Sequence, residues 1–184
     1  IHFLHLRLLL MTVMAICFSL PCFGAAEAAT VALLPLINNV EGGDELANTV
    51  FYKNALSVLN SKKGFVVVEN DKLNAVIEDA KIGSKVPDAA TMAKIAKDGD
   101  VDIVIAIQLD KLEDSPLNAG EETKLQLDMK GYTAAYNRIT GKAYTHRIWG
   151  DKVIAEALTS RWDWTHEEFG RTVRVEVDRA LRAK

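Results

Sequence analysis

Carboxylates are the commonest reactive side chains in this sequence, and several stand close together: Glu69 with Asp71, Glu78 with Asp79, Asp100 with Asp102, Glu121 with Glu122, and Glu167 with Glu168. Glycoside hydrolysis needs two carboxyl groups facing one another across a cleft. Neighbours on one strand or helix point apart instead, so these pairs read as solvated faces, helix-start charges and caps. Asp102 and Asp110 are the least ordinary, because they sit near the two ends of an apolar strand, where water can reach them. After the first thirty residues only two histidines remain, His146 and His166, and no cysteine. A zinc site takes three or four ligands, usually with a closely spaced pair among them. That spacing is missing, so no metal is expected. The sequence has no G-x-S-x-G elbow for a nucleophilic serine, and Ser57, Ser61, Ser84, Ser115 and Ser160 fall in helix ends or loops. Gly42-Gly43 follows the first strand but lacks the spaced glycines of a phosphate loop, and Glu41, Asp44 and Glu45 around it would repel a phosphate. These residues predict a chain that is not an enzyme and takes no cofactor.

The start of the chain predicts a compartment. Residues 4–20 are almost all apolar, with Arg7 as their only charge, and Pro21, Gly24 and a run of alanines follow. A basic start, an apolar middle and a small-residue exit make a secretory signal peptide. Ala26-Glu27-Ala28 fits the A-x-A rule, which places the cut after Ala28 and leaves 29–184 as one domain. Cys22 is a lipidation candidate with a poor match, since Pro21 stands where a small residue is wanted. Cys17 and Cys22 both lie in the leader, so the mature domain has no disulfide and must hold together by its core. A domain of this length can do so. The net charge is −3, and it is the same without the leader, which carries only Arg7 and Glu27. Such mild acidity gives no footprint for nucleic acid. Membrane contact is expected only through the leader or a lipid on Cys22.

The mature chain then reads as alternating strands and helices. Thr30 to Ile37 is a strand, expected near an edge or with a bulge at Pro35, which cannot donate to a ladder. Residues 45–60 repeat Ala47, Val50, Phe51, Ala55, Val58 and Leu59 at helical spacing. Phe65 to Glu69 is a second strand. Asn70 or Asp71 caps a helix through Ala80, and Pro87-Asp88 opens a shorter one that Gly99 ends. The central strand follows: Val101, Ile103, Ile105, Ile107 and Leu109 line one face at period two, and Asp102, Val104, Ala106, Gln108 and Asp110 line a second, less covered face. Residues 113–120 read as a loop. Alternation at 123–135, a turn at 137–141 and a return at 142–151 make a long antiparallel hairpin at the sheet edge. The result is an α/β fold: a mixed sheet of about five strands in the order β-α-β-α-α-β followed by an antiparallel hairpin, with helices packed on it in a two-layer or three-layer sandwich.

The C-terminal stretch carries two competing patterns. Val173, Val175 and Val177 alternate as in a strand. Against them, Thr165 and Glu168 fit a capping box, and Trp164 and Phe169 fit the apolar staple that accompanies one. Phe169, Val173, Val177, Ala180 and Leu181 continue at helical spacing, so the stretch is expected to be a helix starting at Thr165. Trp149, Trp162 and Trp164 cluster late in the chain. Trp162, expected on a turn ahead of the helix, and Trp149 are candidate partner contacts, because tryptophan joins apolar area to a polar tip.

Four segments occur in a suggestive order: Val31-Ala-Leu-Leu-Pro-Leu-Ile37, Gly64-Phe-Val-Val-Val-Glu-Asn-Asp-Lys-Leu-Asn-Ala-Val-Ile-Glu78, Asp102-Ile-Val-Ile-Ala-Ile107 and Asn137-Arg-Ile-Thr-Gly-Lys142. This order resembles the superfamily of exported envelope proteins around the curli-secretion lipoproteins (CsgG-like) and the lipoprotein activators of penicillin-binding proteins (LpoB-like). The resemblance spans nearly all of the mature chain and rests on strand ends and turns. It implies an α/β sandwich of anticodon-binding-domain type and a non-catalytic envelope role, and it carries no functional residue across. No long amphipathic β-segment of the kind that builds a curli-type pore is read here. The expected function is an accessory or binding protein, periplasmic or associated with the outer membrane, working through contacts with a protein partner. The alternatives are a periplasmic hydrolase with a dispersed site and a structural subunit of a homo-oligomeric assembly. The leader makes a direct prediction: protein recovered from the envelope should have an intact mass that begins at about residue 29 and carries no thiol. A species retaining Cys22 with added acyl mass would reverse that expectation.

Overall fold

The computed structural model describes residues 27–41, 44–119, 122–155 and 161–182. The leader lies outside these residues except for its last two positions, and Cys17 and Cys22 lie outside with it. In chain order the elements are β1 (Ala29–Leu33), β2 (Ile37–Asn38), α1, β3 (Phe65–Val67), α2 (Asp71–Asp79), α3 (Ala89–Asp98), β4 (Ile103–Ala119), β5 (Glu122–Asn137), β6 (Lys142–Ala155) and α4 (Arg161–Leu181). Helix α1 is three consecutive segments: Asp44–Ala47, a π turn over Asn48–Tyr52, and Lys53–Ser61. The strands form one mixed sheet in the order β3-β1-β4-β5-β6, and β2 pairs further along β4. β1 runs parallel to β3 and β4, while β4, β5 and β6 are antiparallel. The expected strand–helix sequence and the terminal hairpin are both present.

Alternation along the strands sorts the core into two parts. Val31, Leu33, Ile103, Ile105, Ile107 and Leu109 pack with Phe51, Ala55 and Leu59 of α1 and with Phe169, Val173 and Val177 of α4. Ala32, Leu34, Val104, Ala106 and Ala134 pack with Leu73 of α2 and Met92, Ile95 and Ala96 of α3. Helices therefore cover both faces of the sheet. Each large aliphatic side chain so removed from water contributes about 1.5–3 kcal/mol. Caps fix the helix starts as read: Asn70 Oδ1 accepts from the Leu73 amide at 2.8 Å, and Asp88 Oδ1 from the Thr91 amide at 2.8 Å. Gly99 closes α3, its amide donating to the Ile95 carbonyl at 2.9 Å. The 137–141 turn is also as read. Asn137 Oδ1 accepts from the amides of Ile139 and Thr140 at 2.9 and 3.2 Å, and Gly141 supplies a φ of 67°.

Four expectations are corrected. The second face of the central strand is as buried as the first, because α2 and α3 cover it: Val104 and Ala106 are wholly buried and Gln108 is 5% exposed. Val101 packs with the α2–α3 side rather than with Ile103, since Asp100 ahead of it turns the chain at a φ of 53°. β1 is interior, between β3 and β4. Pro35 falls in the break between β1 and β2, where no ladder bond is asked of it. Residues 113–119 are strand, not loop. The alternation that would have announced this is interrupted by a bulge between Leu109 and Lys111, which moves the inward positions from odd to even numbers. Beyond Leu109 no strand flanks β4 opposite β5 among the described residues, so Pro116 sits on a free edge, where proline is tolerated. β4, β5 and β6 run for 17, 16 and 14 residues, longer than expected.

The C-terminal helix is present, but it begins at Arg161. Thr165 is therefore in its second turn and not at its cap, and Trp162 and Trp164 are in its first turn rather than ahead of it. Residues 161–164 contain neither Gly nor Pro to stop the helix, and Asp163 near its start suits the helix dipole. Glu168 pairs with Arg171 one turn on. Phe169 is buried with its ring centroid 6.4 Å from that of Phe51. Phe169, Val173, Val177, Ala180 and Leu181 are all buried, while Val175 is 47% exposed. Helical spacing thus overrides the valine alternation.

Gly131 sits at a tight approach between β5 and β4. A Cβ there would lie 2.1 Å from the Gln108 carbonyl oxygen, beside the bulge. Gly131→Ala is expected to destabilise the protein by about 1–3 kcal/mol or more, measured by urea unfolding. An unchanged midpoint would mean that the bulge relaxes freely.

Candidate functional site

Polar side chains gather in three places. The first is where β4 begins. The Thr30 amide and hydroxyl donate to Asp102 Oδ2 at 2.9 and 3.0 Å, and the Asp102 amide donates to Thr30 Oγ1 at 2.9 Å. Arg138, in the β5–β6 turn, reaches Asp100 Oδ1 at 3.1 Å and Asp102 Oδ1 at 3.3 Å. Of the carboxylate pairs in the sequence, Asp100 and Asp102 thus converge, but on a shared guanidinium instead of a substrate cleft. The amide hydrogen bond from Thr30 is the main influence on the Asp102 carboxyl and holds it below the ordinary carboxylate range. Burial opposes this, and the Thr30 hydroxyl and Arg138 reinforce it.

The second lies further along β4, at its bulge. Gln108 Oε1 accepts from the Val86 amide at 2.8 Å, and Gln108 Nε2 donates to Asp110 Oδ1 at 2.7 Å. Asn39 Nδ2 donates to the same Asp110 oxygen at 2.8 Å and to the Ser84 carbonyl at 2.9 Å. These bonds tie the α2–α3 connection to β4. They floor a cleft of about 560 Å³ that Lys85, Tyr132 and Thr145 also line. Two amide donors hold one Asp110 oxygen, so this carboxylate is engaged in structure. The cleft offers amides, a phenol, an ammonium and hydroxyls, all able to hydrogen-bond a polar surface.

The third joins α4 to the edge strand. Glu176 is 5% exposed. Its Oε1 accepts from Arg179 Nη1 at 2.8 Å, and its Oε2 lies 3.3 Å from His146 Nε2. The Tyr144 ring stacks on His146 with centroids 6.1 Å apart. Burial first, then the Glu176 charge, pushes the Tyr144 phenol up. Thr133 stands directly across the ladder from His146, and its buried hydroxyl, like Glu176 Oε2, makes no hydrogen bond. A histidine beside a carboxylate suits general acid–base chemistry. The clefts described here are lined by other residues, apart from Arg179 in the groove between α1 and α4. The arrangement ties helix to sheet through Arg179 Nη1, which lies 2.9 Å from His146 Nε2 and also bonds Glu176.

Sequence reasoning found Asp102 and Asp110 through their places at the ends of an apolar run. It missed Asn39, Gln108 and Glu176. Gln108 was visible as the one amide among aliphatics, but Glu176 has no local signal: its burial depends on β6 lying opposite. Among the described residues, no three of His, Cys, Asp and Glu are grouped to hold a metal, and no helix is long and apolar enough to cross a membrane. The side chains of Trp149, Trp162, Trp164, Thr165 and His166 lie outside what is described, as do Gly42, Gly43 and Ser160.

No protein-family model matches the sequence, and no curated protein matches it. Solved structures do. The hypothetical protein CT253 from Chlamydia trachomatis superposes with a TM-score of 0.55 at 14% identity, over 85% of this chain and 99% of that one. The chain shares the fold of that protein. The lipoprotein GNA1162 from Neisseria meningitidis matches with a TM-score of 0.42 at 13% identity, over 83% of this chain and 98% of that one. The LpoB C-terminal domain from Salmonella enterica matches with a TM-score of 0.34 at 14% identity, over 76% and 92%. An LpoB domain, named in the sequence resemblance, is thus among the solved structures matched.

The lowered pKa of Asp102 sets a pH dependence. A depressed carboxyl contributes stability above its unfolded value and loses it as pH falls through the folded value. Melting temperature should therefore drop below about pH 4. Asp102→Asn should be less stable at neutral pH by about 1–3 kcal/mol and show a shallower acid slope. Identical acid slopes for the two proteins would count against this role for the Thr30–Asp102–Arg138 contacts.

Proposed function

We propose that this chain is an exported, non-catalytic binding protein of a bacterial cell envelope, a single domain over 29–184 behind a cleaved leader, acting through contacts with a protein partner. The observation that carries this is the use made of its reactive groups. Asp102, Asp110 and Glu176 are each engaged by neighbours that hold strand ends, a loop or a helix in place, and the clefts are lined mainly by groups suited to recognition. The leader supports export, and the long strands supply surface. The periplasmic or outer-membrane-associated placement rests on the leader and on the LpoB-like resemblance.

Trp162, in the first turn of α4, is the proposed partner contact. It stands seven residues, about two turns, before Phe169, in line with the buried stripe but ahead of its first member. Trp162→Ala should leave the melting temperature nearly unchanged and remove the main heterologous product when a photoreactive residue in α4 is crosslinked in the native envelope. A large fall in melting temperature would make Trp162 part of the core. Robust turnover of envelope substrates by the purified chain would favour the hydrolase alternative.

A further inference from the structure

β6 is the last strand of the sheet: among the described residues nothing pairs along its outer side. It keeps an unbroken one-to-one register with β5 from Lys142 to Ala155, and it contains no proline. Edge strands left to water are ordinarily blunted by a bulge, a proline, shortness or charged side chains. Of these β6 has only charges, Lys142, Arg147, Asp151 and Lys152, and two of them are spaced to match one particular covering.

We propose that a second copy of this chain pairs antiparallel along β6, about a two-fold axis through Trp149 and perpendicular to the sheet. Such an axis keeps each sheet face on the same side in both copies, so residues equally far before and after Trp149 meet. Arg147, which is exposed, meets the second copy's Asp151, and Asp151 meets the second copy's Arg147. Opposite charges directly across a ladder stabilise it and like charges destabilise it. The neighbouring registers lack this match. An axis at Ile148 sets Arg147 against Trp149 and Asp151 against Thr145. One at Gly150 sets Arg147 against Val153 and Asp151 against Trp149. Axes at Arg147 or Asp151 oppose like charges at the centre. The Trp149 register also leaves only Lys142 of β6 outside the new ladder. Lys152 meets His146, a ring already engaged by Glu176 and Arg179. The contact is isologous and closes at two copies. It rests on the edge strand alone and not on the envelope reading above.

Charge exchange tests it. The purified chain should sediment as a dimer. Arg147→Asp and Asp151→Arg each place two like-charge pairs at the interface, and each should weaken the dimer about tenfold or more, some 1.4 kcal/mol. The double variant restores both pairs with reversed sign and should recover the dimer. If a reversed single variant does not fold by circular dichroism, Arg147→Ala carries the same reading, because it removes both pairs without opposing like charges. A chain that stays monomeric at every concentration, a dimer indifferent to all three single variants, or a double variant no better than the singles would overturn the proposal.

Discussion

A strand buried on both faces has no side to offer water, and β4 is such a strand from Ile103 to Leu109. Everything around it answers that constraint. Both faces need cover, so helices must lie on both sides of the sheet. Large aliphatics on one face accept α1 and α4 at the distance of interlocking side chains. Valine and alanine on the other, with Ala134 of β5 beside them, let the shorter α2 and α3 close in. Gln108 is the one polar side chain in this stretch. Its amide is satisfied by the Val86 backbone and by Asp110, as a buried polar group must be. That requirement reaches outward to the α2–α3 connection, which is held where it is because an amide beneath it needs a donor.

The polar groups outside the core follow a similar logic. Asp102 joins β1, the start of β4 and the β5–β6 turn through Thr30 and Arg138. Glu176 holds Arg179 of its own helix, and Arg179 meets His146 on the outermost strand. Both lie where pieces distant in sequence meet, and both use charge-assisted bonds, which are stronger than neutral ones.

Local chemistry was legible in the sequence where it acts locally. Asn70, Asp88, Gly99, Asn137 and Gly141 could be placed because a cap or turn is decided within four residues. The helical stripe from Phe169 to Leu181 was legible through its spacing. Three kinds of feature were not. The interior position of β1 depends on which strands flank it. The strand character of 113–119 is hidden by a bulge and a proline that only a free edge excuses. The true start of α4 precedes the best-looking cap, because a cap sequence permits a helix start without compelling one. Burial of Glu176 belongs to the same group: an exposed-looking charge in a helix becomes interior when a strand from elsewhere lies over it.

The bulge at Asp110 separates two parts of the molecule with different freedom to vary. On its near side β4 is locked between β1, β2 and β5, and a change in length would disturb both cores. On its far side the three strands run on as a ribbon: Leu112, Leu127 and Met129 still pack with the core, and among the described residues no further strand flanks them. There an added residue pair in each strand preserves which way every side chain points and extends the ribbon by roughly 7 Å. A single added residue would turn the ribbon over. Related chains could therefore differ in reach by even steps while keeping an identical body, and the bulge is the place where such lengthening begins.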